Sequence, residues 1–156
     1  MMLRRATIDD VHALVDVQEH GAIASLSHIF PQATYPFPRA EVLHRWRGEI
    51  ADPQIHTYVS TDAAGRISGF AATRAAELLH FGTAVETWGS GLAQELHDAV
   101  LDELKATAPT GYIWLRVFEA NMRARRFYER LGWTRSGRRT RTTFAPYPVL
   151  LEYRRP

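Results

Sequence analysis

The sequence predicts an α+β fold built around one mixed β-sheet, and three observations lead to this prediction. Short runs rich in β-branched and aromatic residues alternate with longer amphipathic segments, in the order β-α-α-β-β-β-α-β-α-β-β. A strand pattern both precedes and follows the longest helical pattern, which implies one parallel crossover. The 156 residues contain no repeat, low-complexity tract or linker, so we expect a single domain over residues 1–156.

The first third of the chain is predicted to form one strand and two helices. Residues 3–7 favour a strand, and the hydroxyl of Thr7 followed by acidic residues is typical of a helix start. The apolar face of this first helix is formed by Val11, Leu14, Val15 and Val17. Residues 29–38 are aromatic and contain three prolines, which predicts a loop. Residues 39–50 return to an amphipathic helical pattern.

The rest of the chain is predicted to combine six strands with two helices. The predicted strands are residues 56–60, 67–74, 76–85, 112–117, 134–142 and 149–153. A long helix after Gly91 carries an apolar residue at every fourth position from residue 92 to residue 104, and Pro109 with Gly111 is expected to end it. A shorter helix over residues 121–131 ends at Gly132, a residue type typical of helix C-termini.

Composition excludes several classes of site. The chain has no cysteine, which rules out disulfides, thiolate catalysis and cysteine-bound zinc. Its seven histidines show no close metal-ligand spacing, so we expect no metal. No apolar run is long enough to span a bilayer, and the first ten residues lack the apolar centre of a signal peptide. The sequence therefore predicts a cytoplasmic protein without a membrane partner.

Charge is distributed unevenly along the chain. Residues 123–156 carry ten arginines against two glutamates, a net charge of +8, whereas residues 1–122 have a net charge of −6. A solvated surface, an anionic cofactor and nucleic acid are all compatible with such a basic segment. The sequence contains no base-reading motif, so we do not expect a nucleic-acid partner.

A glycine turn between a predicted strand and the long helix indicates an anion site. Gly89 and Gly91 allow the backbone to approach a ligand closely, because no Cβ stands in the way. The unpaired amides of the first helical turn, together with the helix dipole, suit a pyrophosphate. The alternative is a tight strand-to-helix turn with no ligand. A dinucleotide-binding GxGxxG motif is excluded, because Gln94 stands where the third glycine would be.

Residues 88–93 resemble the coenzyme A-binding motif Q/R-x-x-G-x-G/A of the GNAT acetyltransferase superfamily. The resemblance implies contacts to the cofactor from Trp88, Gly89, Ser90, Gly91, Leu92 and Ala93. Ala93 fills the final position as the family permits. Trp88 departs from the usual glutamine or arginine, which removes one polar side chain and leaves the backbone amides unaffected.

Residues 121–133 resemble a second motif of the same family, N-x-x-A-x-x-F-Y-x-x-x-G-F/W. The asparagine, the alanine, the Phe-Tyr pair, the glycine and the final aromatic residue all match. The two motifs in this order imply the GNAT fold. That fold has a central mixed, mostly antiparallel sheet of six to seven strands, about four flanking helices, and middle strands that splay apart.

The resemblance also implies two catalytic residues. The phenol of Tyr128 is expected to protonate the leaving thiolate, and Glu77, which begins the strand before the glycine turn, is expected to act as the base. The alternatives are a packed tyrosine whose hydroxyl bonds to the backbone, and an exposed carboxylate at a strand end. His80 is a second candidate base. Regular alternation places it on the opposite strand face from Glu77, unless a β-bulge near Phe81 and Gly82 intervenes.

The implied cofactor is acetyl-CoA, which serves as co-substrate. Phe81 and Thr83 are expected to pair through their backbones with the pantetheine arm, along a strand that parts from its neighbour. Asn121 is expected to bond the same arm, and a helix N-cap role is open as well. Arg123 and Arg126 are long enough to reach the phosphates, although arginines on a helix surface are more often simply solvated.

The predicted reaction moves an acetyl group to a primary amine of a small molecule or peptide. Without cysteine, direct attack by the amine in a ternary complex is expected. The alternative is a catalytically silent module that senses acyl-CoA or binds a protein. An aromatic loop with His28, Phe30, Tyr35 and Phe37 favours a partly apolar amine. The resemblance is also compatible with a homodimer, because late strands of this fold often pair between subunits.

Overall fold

The computed structural model describes residues 1–108 and 111–156, in which one seven-stranded sheet lies between two pairs of helices. The strands are β1 (Met2–Arg5), β2 (Ile55–Thr61), β3 (Ile67–Arg74), β4 (Glu77–Thr83), β5 (Ile113–Phe118), β6 (Thr134–Arg141) and β7 (Val149–Arg155). The helices are α1 (Val11–Leu26), α2 (Arg39–Ala51), α3 (Leu92–Thr107) and α4 (Met122–Arg130). Short 3₁₀ turns at Ile8–Asp10 and Val85–Thr87 precede α1 and α3. The predicted α+β architecture and element order are confirmed, while Pro109, predicted to help end α3, lies outside the described residues.

The strand order is β1-β2-β3-β4-β5-β7-β6, and one parallel pair stands at its centre. All other neighbouring strands run antiparallel. The parallel pair β4 and β5 has a single register partner, Glu77 with Trp114, whereas β5 pairs with β7 along its full length. Beyond Glu77 the two middle strands diverge, which confirms the predicted splay.

The sheet separates two hydrophobic cores. On one face α3 and α4 pack against β4, β5 and β7, with Leu96, Val100 and Leu104 of α3 fully buried as the predicted stripe requires. On the other face α1 and α2 pack against β2 and β3, and Trp46 of α2 is completely buried there. Because apolar area removed from water is the main stabilising term, these two layers fix the sheet in place.

Alternation along β5 divides its side chains between the two faces. Leu115 points into the core beneath α3 and α4, so its neighbours Trp114 and Arg116 point to the other face. On that other face, α1 and α2 contact the sheet from β2 to β4 and do not extend over β5. The β5–β7 half of this face therefore forms an open, polar surface beside the splay.

A β-bulge in β4 corrects one expectation about its side chains. Thr73 pairs with Leu78 and Ala72 pairs with His80, so Leu79 has no partner on β3. Leu78 packs in the α3–α4 core, whereas Leu79 and His80 both lie towards α1 and α2. Regular alternation would place His80 away from the Glu77 side, but the extra residue brings both onto one face. The bulge that was left open as an alternative is thus present, at Leu79 and not near Phe81 and Gly82.

A buried histidine links α3 to the segment that follows α4. Trp133 Nε1 donates to His97 Nε2 at 3.0 Å, so the other ring nitrogen carries the proton and donates to Asp98 at 2.8 Å. Burial lowers the pKa of His97, in spite of the bond to Asp98, which keeps the ring neutral. The Trp133 indole in turn packs edge-on against Tyr128, with ring centroids 6.0 Å apart. This chain of contacts fixes the orientation of Tyr128.

Candidate active site

The splay between β4 and β5 forms the floor of a cleft that ends at the glycine turn. From Leu78 onward, the β5 side of β4 has no strand neighbour among the described residues. Gly89 and Gly91 have φ angles of 82° and 91°, in the left-handed region that only glycine adopts readily. Their amides, and that of Ala93 in the first turn of α3, have no acceptor in the described part of the chain. The turn therefore presents free donors to a ligand in the cleft.

Trp88 joins the glycine turn to the start of α4. Its indole Nε1 donates to the carbonyl of Thr83 at 3.2 Å, which fixes the ring at the end of β4. The guanidinium of Arg123 lies over that ring, 3.6 Å from its centre. Burial, followed by the positive charge of Arg130, lowers the pKa of Arg123. No carboxylate pairs with Arg123 among the described residues, so an uncompensated cation stands beside the free amides.

Sequence reasoning missed the pairing of Trp88 with Arg123. The departure at Trp88 indicated only the loss of a polar group. The structure shows that Arg123, from the second motif, places its guanidinium over the ring of Trp88. The available signal was the basic start of α4, which holds three arginines within residues 122–126.

Asn121 caps α4, as one of its two predicted roles requires. Its side-chain oxygen accepts a hydrogen bond from the amide of Ala124 at 3.2 Å. A role towards the cofactor arm would therefore use the side-chain NH₂ group, which has no partner among the described residues.

Tyr128 is a core residue with an unpartnered hydroxyl. Only 8% of the residue is exposed, and its ring packs against Phe81 and Phe127 in addition to Trp133. Burial raises the pKa of the phenol, so the group is protonated at neutral pH. In the described part of the chain nothing hydrogen-bonds to the hydroxyl, and the alternative of a backbone-bound tyrosine is therefore not what the structure shows.

Glu77 lies where the splay begins, and two arginines flank its carboxylate. Arg74 Nη2 donates to one oxygen at 3.1 Å, and Arg116 Nε lies 3.7 Å from the other. The side chain is only 4% exposed, so the alternative of an exposed strand-end carboxylate is wrong. Because Leu78 faces the α3–α4 core, Glu77 faces the opposite side of the sheet from Tyr128.

His80 is held by a residue that sequence reasoning missed. Its Nε2 lies 2.8 Å from Glu49 Oε2, and its ring is 4.7 Å from that of Trp46. Burial alone would raise the pKa of Glu49, but the bond and charge of His80, with Arg45 and Arg74 nearby, leave it lowered. Glu49 is on α2, and no local pattern in the sequence points from β4 to that helix.

Aromatic residues from three segments meet beyond the end of β5. Phe30 packs edge-on against Phe118 with centroids 5.4 Å apart, and it stacks against Phe144 at 6.1 Å. His28 Nε2 lies 2.8 Å from the carbonyl oxygen of Ala120, which ties the α1–α2 loop to the same place. The loop that was predicted to favour an apolar acceptor thus borders the open face next to Glu77.

Other features of the described residues lie away from this cleft. A cavity of about 420 Å³ between α1 and the turn after β4 is lined in part by Asp9, His20 and Glu86, and it includes neither Glu77 nor Tyr128. The described histidines and acids include no group of three that is arranged to hold a metal ion. None of the described helices is both long enough and apolar enough to cross a membrane.

Solved structures share this fold over nearly the whole chain. PaiA N-acetyltransferase from Thermoplasma acidophilum, in complex with coenzyme A, superposes with a TM-score of 0.76 at 17% identity, covering 97% of this chain and 96% of that one. A point mutant of spermidine N-acetyltransferase SpeG from Vibrio cholerae gives 0.70 at 20% identity, over 99% and 94%. Ribosomal-protein-alanine N-acetyltransferase from Brucella melitensis gives 0.73 at 15% identity, over 99% of both chains. At these identities the likeness shows the fold alone.

Sequence comparison identifies the family. No curated protein matches the chain. The profile of the acetyltransferase (GNAT) family matches residues 20–133, most of the chain, and this span includes the glycine turn and the whole second motif. Together with the seven-stranded splayed sheet, this match shows that the chain belongs to the GNAT acetyltransferase family.

Proposed function

We propose that the protein transfers an acetyl group from acetyl-CoA to a primary amine by direct attack. One observation carries this proposal above all. The splay of β4 and β5 opens between a buried, protonated phenol on one face and a buried carboxylate on the other. This arrangement supplies an acid and a base on opposite sides of the place where the reacting atoms would meet.

The residues present fit acetyl-CoA, whose thioester would supply the acetyl group. The free amides of Gly89, Gly91 and Ala93 suit a pyrophosphate at the N-terminus of α3. Arg123, fixed by Trp88, adds a positive charge at the same end of the cleft. The solved PaiA neighbour, which contains coenzyme A, supports the assignment of this class of ligand.

The arm of the cofactor is assigned to the free edge of β4. Phe81 and Thr83 lie on this edge, where unpaired backbone groups are available to an extended ligand. The Phe81 amide is assigned to the thioester oxygen, because a fixed donor there would stabilise charge that develops during attack. The Thr83 carbonyl already accepts from Trp88, so a bond from Thr83 to the arm would share that oxygen or use its amide.

Two proton transfers complete the proposed step. Glu77 takes a proton from the acceptor ammonium, directly or through water, and leaves a neutral amine. The amine nitrogen bonds to the carbonyl carbon while the carbon–sulfur bond breaks, and Tyr128 gives its proton to the departing sulfur. The second amine proton passes to solvent, Glu77 releases the proton that it took to solvent, and a solvent proton restores the phenol. One proton is thus released for each amine that is acetylated. The raised pKa of Tyr128 keeps it protonated before each turnover.

Tyr128→Phe should lower kcat by about a hundredfold, because the sulfur would depart without a positioned acid. The same variant should bind CoA with little change, since the ring packing is kept. The measurement is release of free CoA thiol from acetyl-CoA across a panel of primary amines, with calorimetry for CoA binding. Undiminished turnover would remove Tyr128 from the acid role. CoA binding by the wild type without thiol release from any amine would favour the silent binding module.

Glu77→Gln should lower kcat/KM by about a hundredfold, because the amide cannot take a proton. His80→Gln serves as the matched comparison, since His80 lies on the same strand and face. We expect the histidine variant to keep most of its activity. If His80→Gln loses more activity than Glu77→Gln, the base is assigned to the His80–Glu49 pair.

Arg123→Gln should weaken CoA binding by about tenfold, in line with the loss of one charge-assisted hydrogen bond. Arg138→Gln, at an exposed position of the outer strand β6, is the control and should bind CoA normally. Calorimetry with CoA and with 3′-dephospho-CoA shows which phosphate Arg123 contacts. Equal affinities for the two variants would mean that Arg123 is only a surface residue stacked on Trp88.

A further inference from the structure

The carboxylates of the open face beside Glu77 are already held by arginines. Glu77 is flanked by Arg74 and Arg116. On β7, Glu152 accepts from Ser136 at 2.8 Å and pairs with Arg154 at 3.4 Å. Each carboxylate on this strip, which runs from the end of β3 across β4 and β5 to β7, is thus already paired.

A polycationic acceptor would gain little on this strip. Besides the ammonium that every acceptor would bring to Glu77, such an acceptor needs further carboxylates that are free to pair, and Glu152 is already held by Arg154 and Ser136. Removing one partner of a buried ion pair leaves an uncompensated charge, which is costly. An acceptor that carries an anionic group would instead need a free arginine donor, and the strip has one.

Arg116 has the geometry to receive that anion. It lies on β5 with its side chain 44% exposed, and only its Nε approaches Glu77. Its two terminal nitrogens have no acceptor in the described part of the chain. A guanidinium edge of this kind binds a carboxylate through two parallel hydrogen bonds. Because Arg116 is so close to Glu77, an amine at Glu77 and a carboxylate at Arg116 would be separated by only a few bonds.

An apolar surface lies next along the same strand. Phe118 follows Arg116 by two residues, so it lies on the same face about 7 Å further on. Phe30 packs edge-on against it, and Phe144 stacks on Phe30. A molecule that places a carboxylate on Arg116 could therefore place an apolar side group against this aromatic cluster of Phe30, Phe118 and Phe144.

We propose that the acceptor is an α-amino acid with an apolar side chain, and that Arg116 binds its carboxylate. This inference rests on the proposed acetyl transfer and names the class of amine that the reaction uses. Glu77 then receives the ammonium proton, Arg116 fixes the carboxylate, and the aromatic cluster selects the side chain. Arg116 is a specificity residue in this scheme.

Matched pairs of acceptors test the inference. L-Phenylalanine with 2-phenylethylamine, and L-leucine with 3-methylbutylamine, differ only by the carboxylate, and spermidine represents a polycation. The wild type should show at least a tenfold higher kcat/KM for each amino acid than for its decarboxylated partner. In Arg116→Gln this ratio should fall by roughly ten- to a hundredfold. Because the ratio compares two acceptors on one variant, it cancels any change that the substitution causes at Glu77.

Arg135→Gln on the edge strand β6 is the matched control and should keep the wild-type ratio. A higher kcat/KM for the decarboxylated amines or for spermidine would overturn the inference, as would an unchanged ratio in Arg116→Gln. Calorimetric binding of each pair to the CoA-loaded protein gives a second readout that does not need turnover. If no amine is acetylated but L-phenylalanine binds more tightly than 2-phenylethylamine, the proposed reaction fails and the site assignment stands. If neither member of either pair binds or reacts, the assignment fails.

Discussion

The single pairing of Glu77 with Trp114 is the constraint on which the rest of the site depends. It joins β4 to β5 at one point and lets them part beyond it, while β3 and β7 hold the outer edges of both strands. A sheet normally covers its polar backbone through neighbouring strands, and an unpaired internal edge is costly unless something else pairs with it. Here the free edge leads directly to the amides of the glycine turn, so one ligand could satisfy both.

The two faces of the splay are chemically different, and the packing explains why. Helices α3 and α4 enclose one face and desolvate Tyr128, which keeps its proton. Helices α1 and α2 stop short of β5 on the other face, where Arg74 and Arg116 remain exposed around the buried carboxylate of Glu77. The phenol and the carboxylate are thereby separated by the sheet itself.

Local patterns predicted most of the fold and the form of the glycine turn. The fourfold spacing on α3, the glycine turn and the capped helix α4 each depend on residues close in the chain, and the structure has all three. The features that could not be predicted from the sequence depend on contacts between distant segments. The bulge at Leu79 follows from the register with β3, and the approach of Glu49 to His80 follows from how α2 docks. Arg123 over Trp88 likewise joins two motifs whose juxtaposition neither motif encodes.

Backbone amide spectra recorded by NMR during titration with CoA test the central claim most directly. If the splay and the glycine turn hold the cofactor, saturable shifts should concentrate at Phe81, Thr83, Gly89, Gly91 and Ala93. Amides of the outer strand β6 should stay almost unchanged. Saturable shifts that fall on β6 or on α1 instead, with the glycine turn unaffected, would contradict the account.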